Sequence, residues 1–261
     1  MCAIIAGDGD ACVKLRRHPL FLWTIALCAM ALFARAGFWQ LDRAAQKREM
    51  LADVAAALDA RQPQPLSVIA DPRRSQRYDW VEIEGRFVDA PTVLLDNQQH
   101  AGRVGVRVYR VFEVNSGTRV LLDLGWVALP PDRTLPKPVA DAALETLAGL
   151  LLPPPGRGLD MGQPAVQPDG TLLATAIDLS VLRTMLKQPT LAPRVFRPAP
   201  RAGFGFQRDF DILPNTLPPE RHLGYAVQWF GLAAAVLITA LLLTWRARRA
   251  AAPCNDRPPS P

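Results

Sequence analysis

The sequence predicts a membrane α+β protein, with two transmembrane helices bracketing one β-rich extracytoplasmic domain that is antiparallel and barrel- or sandwich-like. Three observations predict it. Apolar runs lie near each end of the 261-residue chain, each long enough for a helix to cross a bilayer core of about 30 Å. Between them, short β-branched runs alternate with Gly, Asn and Pro turns. The basic excess sits beside the apolar runs. Residues 1–39 carry four Lys/Arg against two Asp/Glu, residues 222–261 four against one, and the stretch between 22 against 21. Charge placed in this way orients membrane helices. It is not the clustered footprint of a nucleic-acid binder, so no nucleic-acid partner is expected.

Residues 1–18 form an irregular tail with Asp8 and Asp10 ahead of Lys14, Arg16 and Arg17. Such acidic residues are foreign to a mitochondrial transit peptide. Residues 19–39 are apolar apart from Arg35, which can snorkel to the interface, and end in the aromatic pair Phe38-Trp39. Ala34-Arg35-Ala36 also makes an A-x-A cleavage site. Retention is favoured over cleavage, because the apolar stretch resumes past that site. Residues 40–61 continue as a helical stem, with Leu41, Ala44, Arg48, Leu51 and Leu58 at three- and four-residue spacing, until Pro63 and Pro65 stop it.

The period then changes to two. Tyr78–Glu84 alternates up to Gly85. Thr92–Asp96 precedes the turn-rich residues 97–102, Val104–Val114 is β-branched, and Arg119–Leu129 ends at Pro130-Pro131. Further strands are expected at 144–152, 171–176 and around 194–197. Asp178 is placed to cap a short helix over 179–187. A loop from Ala199 to Pro219 returns the chain to the membrane. With 20 prolines between residues 40 and 221, residues 62–221 read as one loop-rich domain. Leu223–Trp245 is free of charge for 23 residues, roughly 35 Å of helix. The second span is therefore set at residues 222–245, with a tail from 246 to 261. Lys14, Arg16 and Arg17 before the first helix, and Arg246, Arg248 and Arg249 after the second, place both termini in the cytoplasm. The central domain is then periplasmic, and a bacterial inner membrane is the expected location.

The sequence offers no recognisable catalytic constellation. The four cysteines, Cys2, Cys12, Cys28 and Cys254, all lie outside residues 40–221, and no C-x-x-C or C-x-x-C-H occurs. Neither a disulfide framework nor covalent haem attachment is expected in the central domain. No H-x-x-x-H or H-E-x-x-H offers a zinc site, and none of Ser67, Ser75, Ser116 and Ser180 sits in G-x-S-x-G. Asp209 and Asp211 would share a side if extended, which in a loop reads as a solvated pair. His100 falls in a hairpin-like loop. An enzyme is not expected.

The ionisable group that stands out is His222, at the mouth of the second span. Helical spacing sets His222, Tyr225 and Trp229 at i, i+3 and i+7, on one face of its outer half. An intramembrane ionisable residue reads as a functional site. A capping polar residue at the interface is the alternative.

Four motifs, in order, carry a family resemblance. Gly37-Phe-Trp-Gln-Leu-Asp-Arg43 with Lys47 is similar to a Gly-x-Trp-Gln-x-x-Arg-x-x-x-Lys pattern. Tyr78–Phe87 with Gly85 is similar to a Val-x-Gly-x-Phe strand, and Val120-Leu-Leu-Asp-Leu-Gly-Trp-Val127 to Val-Leu-Val-Asn-Arg-Gly-Trp-Val. His222-Leu-Gly-Tyr-Ala-Val-Gln-Trp-Phe230 is similar to Asn-Asn-His-Leu-x-Tyr-Ala-x-x-Trp-Phe. Together they resemble the surfeit locus protein 1 family, the membrane assembly factors of cytochrome c oxidase. Asp123-Leu124 replaces the usual Asn-Arg, and Glu220-Arg221 the usual Asn-Asn.

The resemblance implies a non-enzymatic assembly factor for a haem–copper oxidase that holds haem a, or hands it to the catalytic subunit. Haem a synthase would be a second partner, and membrane lipid the surroundings. A scaffold that binds oxidase subunits without haem is the other reading. His222 would be the ligand to the haem iron. Tyr225, Trp229 and Trp39 would supply aromatic walls, and Arg43, or Arg35 or Arg221, would pair with propionates. Gly231, Ala234 and Ala235 would let the first helix approach closely.

Overall fold

The computed structural model describes residues 19–136, 144–155, 162–212 and 217–250. The tails at 1–18 and 251–261, with Cys2, Cys12 and Cys254, lie outside the described residues. The chain forms two compact units. One contains α1 (Pro19–Ala60) as far as Ala45 together with α3 (Pro219–Ala250), and the other is Gln46–Pro218.

Pro19 opens α1 at a position where its missing N–H costs nothing. The helix has 42 residues, so the expected span and stem belong to one helical element. It ends where Arg61 turns to φ 42° and its N–H bonds back to the Ala57 carbonyl, two residues before Pro63. Both α1 and α3 are long and apolar enough to cross a membrane, and little of either apolar stretch is covered by protein. Leu20, Phe21, Leu32, Ile238 and Leu243 are all more than half exposed, which suits a lipid-facing surface and not a soluble core. Cys28 is an exposed free thiol in this stretch.

The Gln46–Pro218 unit is built on an eight-stranded sheet. Its strands are β1 (Asp79–Phe87), β2 (Val93–His100), β3 (Arg103–Val114), β4 (Arg119–Ala128), β5 (Glu145–Leu152), β6 (Ala165–Val166), β7 (Leu172–Ala174) and β8 (Leu191–Pro198). The spatial order is β1-β5-β8-β4-β3-β2-β7-β6, and a further β1–β3 pairing joins the ends of the first five into a closed barrel. Alternation fills it: Val81, Ile83 and Phe87 of β1 point inward with Val108, Phe112 and Leu122, while Glu82, Glu84 and Arg86 are exposed. Closure depends on Gly85. A Cβ there would stand 2.0 Å from the Glu113 carbonyl oxygen, so only glycine lets β1 meet β3.

Two details depart from the expected meander. The β2–β7 and β4–β8 pairs are parallel, so the sheet is mixed. And β2 continues through an irregularity at residues 95–98 as far as His100, so His100 ends a strand. The hairpin loop is only Ala101-Gly102, both at positive φ, as a two-residue turn requires.

The barrel's outer side carries a second core. Helix α2 (Leu179–Met185), capped by the Asp178 carboxylate on the Ser180 and Val181 N–H groups, packs Leu179 and Leu182 with Val93, Tyr109, Leu121 and Val195.

Candidate functional site

The unit made by α1 and α3 is an antiparallel helix pair. Trp23 Nε1 donates to Thr244 Oγ1 at 3.1 Å near one end. Phe33 stacks on Trp229 with ring centroids 5.7 Å apart, and Phe38 meets Phe230 edge-on at 5.2 Å. Gly37 is buried, and a Cβ on it would stand 2.7 Å from the Phe230 ring. The close approach therefore comes from Gly37 and the buried Ala226. Gly231 and Ala235 are exposed, as is Ala234, and a Cβ on Gly231 would meet open space. The contact expected of those three is not made.

His222 lies in the seam. It is 6 % exposed, its Nδ1 is 2.6 Å from Gln40 Oε1, and its Nε2 is also buried. Helical geometry explains which neighbours share its face. At 3.6 residues per turn, position i+4 lies about 40° to one side of position i, and i+7 and i+3 about 20° and 60° to the other, so i+3 is the farthest of the three from the seam. Ala226 and Trp229 therefore turn toward α1, whereas Tyr225 is 41 % exposed. The three residues expected on one face divide between the seam and its edge.

The Gly37–Arg43 motif divides in the same way. Gly37, Gln40 and Ala44, at spacings of three and four, turn inward. Trp39, 56 % exposed, and Arg43 turn outward. Of the residues expected around the iron, the structure places Trp229 on the side of His222 and leaves Trp39, Arg43 and Tyr225 off it. Gln40 is the residue not anticipated as part of the site. Its signal is a neutral polar side chain directly after the apolar run that ends at Trp39, seven residues before the motif's lysine.

A buried imidazole is chemically suited to an axial bond to haem iron. Nε2 is covered within the seam, so iron reaches it only if that cover moves. Among the described residues, no group of three or more His, Cys, Asp or Glu side chains is placed to hold a metal ion.

The remaining motif residues serve the β-rich unit. The Lys47 ammonium donates to the Leu217 carbonyl and ties the end of the unit to its beginning. Asp123 is fully buried. Its Oδ2 accepts from Arg107 Nη1 at 2.9 Å and Arg197 Nε at 2.8 Å, and its Oδ1 from the Gly125 N–H. Arg197 also donates to the carbonyls of Asp209 and Asp211, so these two acids belong to a fixed loop. Trp126 Nε1 donates to the Gln98 carbonyl, and its ring lies 5.3 Å from that of His100. Another buried cation, Arg194, reaches Asp79 at 2.6 Å and the Leu151 carbonyl at 2.9 Å, with Arg74 donating to both oxygens of the same carboxylate. Burial raises the Asp79 carboxyl, but the hydrogen bonds from Arg74 and Arg194 outweigh it and hold the group below the usual carboxylate range. Burial pushes the Tyr109 phenol up, so it stays neutral.

A comparison with curated proteins returns no match. The model of the family described as the SURF1 family matches residues 27–234. That range contains the Gly37–Arg43 motif, the whole β-rich unit and the turn of α3 that carries His222. The chain belongs to the SURF1 family, whose members serve in cytochrome oxidase assembly.

Proposed function

We propose that this protein assists maturation of a haem–copper cytochrome oxidase by holding haem a at His222 and passing it to the catalytic subunit. One observation supports this above the others: an imidazole is buried in the seam between two apolar helices, hydrogen-bonded at Nδ1. A polar ring is costly in such a place unless it has a task or a partner. In this reading both helices span a bacterial inner membrane, both termini are cytoplasmic, the β-rich unit is periplasmic, and haem a synthase is the donor. Trp229 would flank the porphyrin. Tyr225, Trp39 and Arg43 would reach it only on opening of the helix pair.

Those three outward residues also favour a second reading, a scaffold that binds oxidase subunits and never touches haem. Exposed aromatics beside an arginine suit a protein interface. The two readings separate when the full chain is co-expressed with haem a synthesis and purified in detergent. Haem a in the absorption spectrum at about one per chain, lost in His222→Ala, supports the first. Oxidase subunits that co-purify with a haem-free wild-type protein would establish the scaffold instead.

A further inference from the structure

We propose that Gln40 is the positioning residue of His222, holding the proton on Nδ1 and so presenting Nε2 as the nitrogen that binds iron. The geometry begins with α1. Gly37 lets the helices meet at Phe230, and one turn further along the same face Gln40 reaches across the seam. Its Oε1 lies 2.6 Å from Nδ1 of His222. An amide oxygen only accepts, so Nδ1 donates and carries the hydrogen. In the neutral ring the lone pair is then on Nε2.

Such a bond does three things for a metal-binding histidine: it fixes the tautomer, fixes the ring plane and raises the basicity of the ligating nitrogen. The amide is also suited to this place. A carboxylate would add charge to an apolar seam, whereas a neutral amide accepts the hydrogen bond at lower desolvation cost. The importance of this for function rests on His222 being the haem ligand; the tautomer itself does not.

A structural hydrogen bond that only joins two membrane helices is the competing role, and the test separates them. The full-length protein, labelled with ¹⁵N at histidine, is purified in detergent at neutral pH, with the other rings assigned through His18→Asn and His100→Asn. The expected spectrum shows His222 protonated at Nδ1 and bare at Nε2, with that preference lost in Gln40→Leu. A His222 protonated at Nε2 in the wild type, or a tautomer unmoved in Gln40→Leu, would overturn the proposal. The same proteins are then titrated with ferric haem. Gln40→Leu should bind about tenfold or more weakly, the usual effect of losing such a support. Gln40→Glu, which keeps an acceptor and makes it stronger, should bind at least as tightly as the wild type and lower the haem midpoint potential. Equal losses in Glu and Leu variants would mean a purely structural bond and would refute positioning. If the wild type takes no haem, the haem-holding reading falls, and the nitrogen spectra still decide the role of Gln40.

Discussion

Replacing Asp123 by alanine should be among the most damaging single changes in the β-rich unit, and the structure indicates by how much. The carboxylate is 0 % exposed, and one of its oxygens serves both Arg107 and Arg197, themselves almost fully buried. Alanine leaves two nearly buried guanidinium groups without their counter-charge, although Arg197 keeps its carbonyl acceptors at Asp209 and Asp211. Breaking a buried ion pair from one side costs about 3–5 kcal/mol. The Gly125 N–H also loses its acceptor, which adds to that cost. For a unit of this size about 1 kcal/mol moves the melting temperature by 2–4 °C, so a fall of about 6–20 °C is expected. The assay is thermal unfolding of the full-length protein in detergent, followed by tryptophan fluorescence, to which Trp126 beside the cluster contributes. The cost comes from stranded charge and not from a lost contact. Asp123→Ala/Arg107→Met should therefore melt no lower than Asp123→Ala alone, a departure from additivity expected of coupled sites. A fall under about 2 °C in the single variant, or a clearly lower melt in the double, would refute the reasoning.

Three further expectations follow from the same geometry. Because the folded Asp79 titrates below its unfolded value, the unfolded chain binds more protons in acid. Its contribution is fully present above about pH 4 and is lost as pH falls through the depressed folded value. Melting curves from pH 7 down to pH 3 should show an acid limb that flattens in Asp79→Asn; an unchanged limb would assign it to other carboxylates. Gly85→Ala should unfold the barrel or lower its melting point sharply, since the obstacle 2.0 Å away is backbone and cannot move aside, whereas Gly231→Ala, which meets open space, should be neutral. Equal effects of the two in one thermal assay would contradict the close β1–β3 approach. Gly37→Leu should part the helix pair at a cost of about 1–3 kcal/mol, and Phe230→Ala should restore much of it. Cross-linking between cysteines introduced at Phe33 and Trp229 reads the result, and no drop in Gly37→Leu would place the seam elsewhere.

Much of the fold was legible because its signals are local. Two apolar runs and a change of hydrophobic period from 3.6 to 2 are enough to predict α1, α3 and most strands. The N-cap at Asp178 and the stop before Pro63 follow from single residues. What was not legible depends on residues far apart in sequence. The parallel pairing of β4 with β8 joins residues about 70 apart, and nothing in either strand alone states a direction. Asp123 read as a departure from a family pattern, yet its significance lies in Arg107 and Arg197, which only the barrel brings to it. Asn97 and Gly102 look like one turn in sequence and would end β2 at residue 96, although Asn97 adopts positive φ inside a bulged strand.

The candidate site shows the same limit at the scale of one helix turn. Spacings of three and of four define one broad face in sequence, but on a helix that meets a single neighbour they point to different sides of it. The seam between two helices is narrow, so a 60° offset carries Tyr225 out of it while Ala226 and Trp229 stay in. This changes what the motif residues are for. Gly37, Gln40, Ala226 and His222 make the seam, and each is small or engaged across it. Trp39 and Tyr225, both exposed, lie outside the seam, so their side chains face what surrounds the helix pair. If His222 handles haem, the porphyrin must enter from that outward side and displace what covers Nε2. The two groups of residues should then fail differently. Changes in the seam would disturb the helix pair and the imidazole together, and changes on the outward face would leave both intact and impair only what the pair meets.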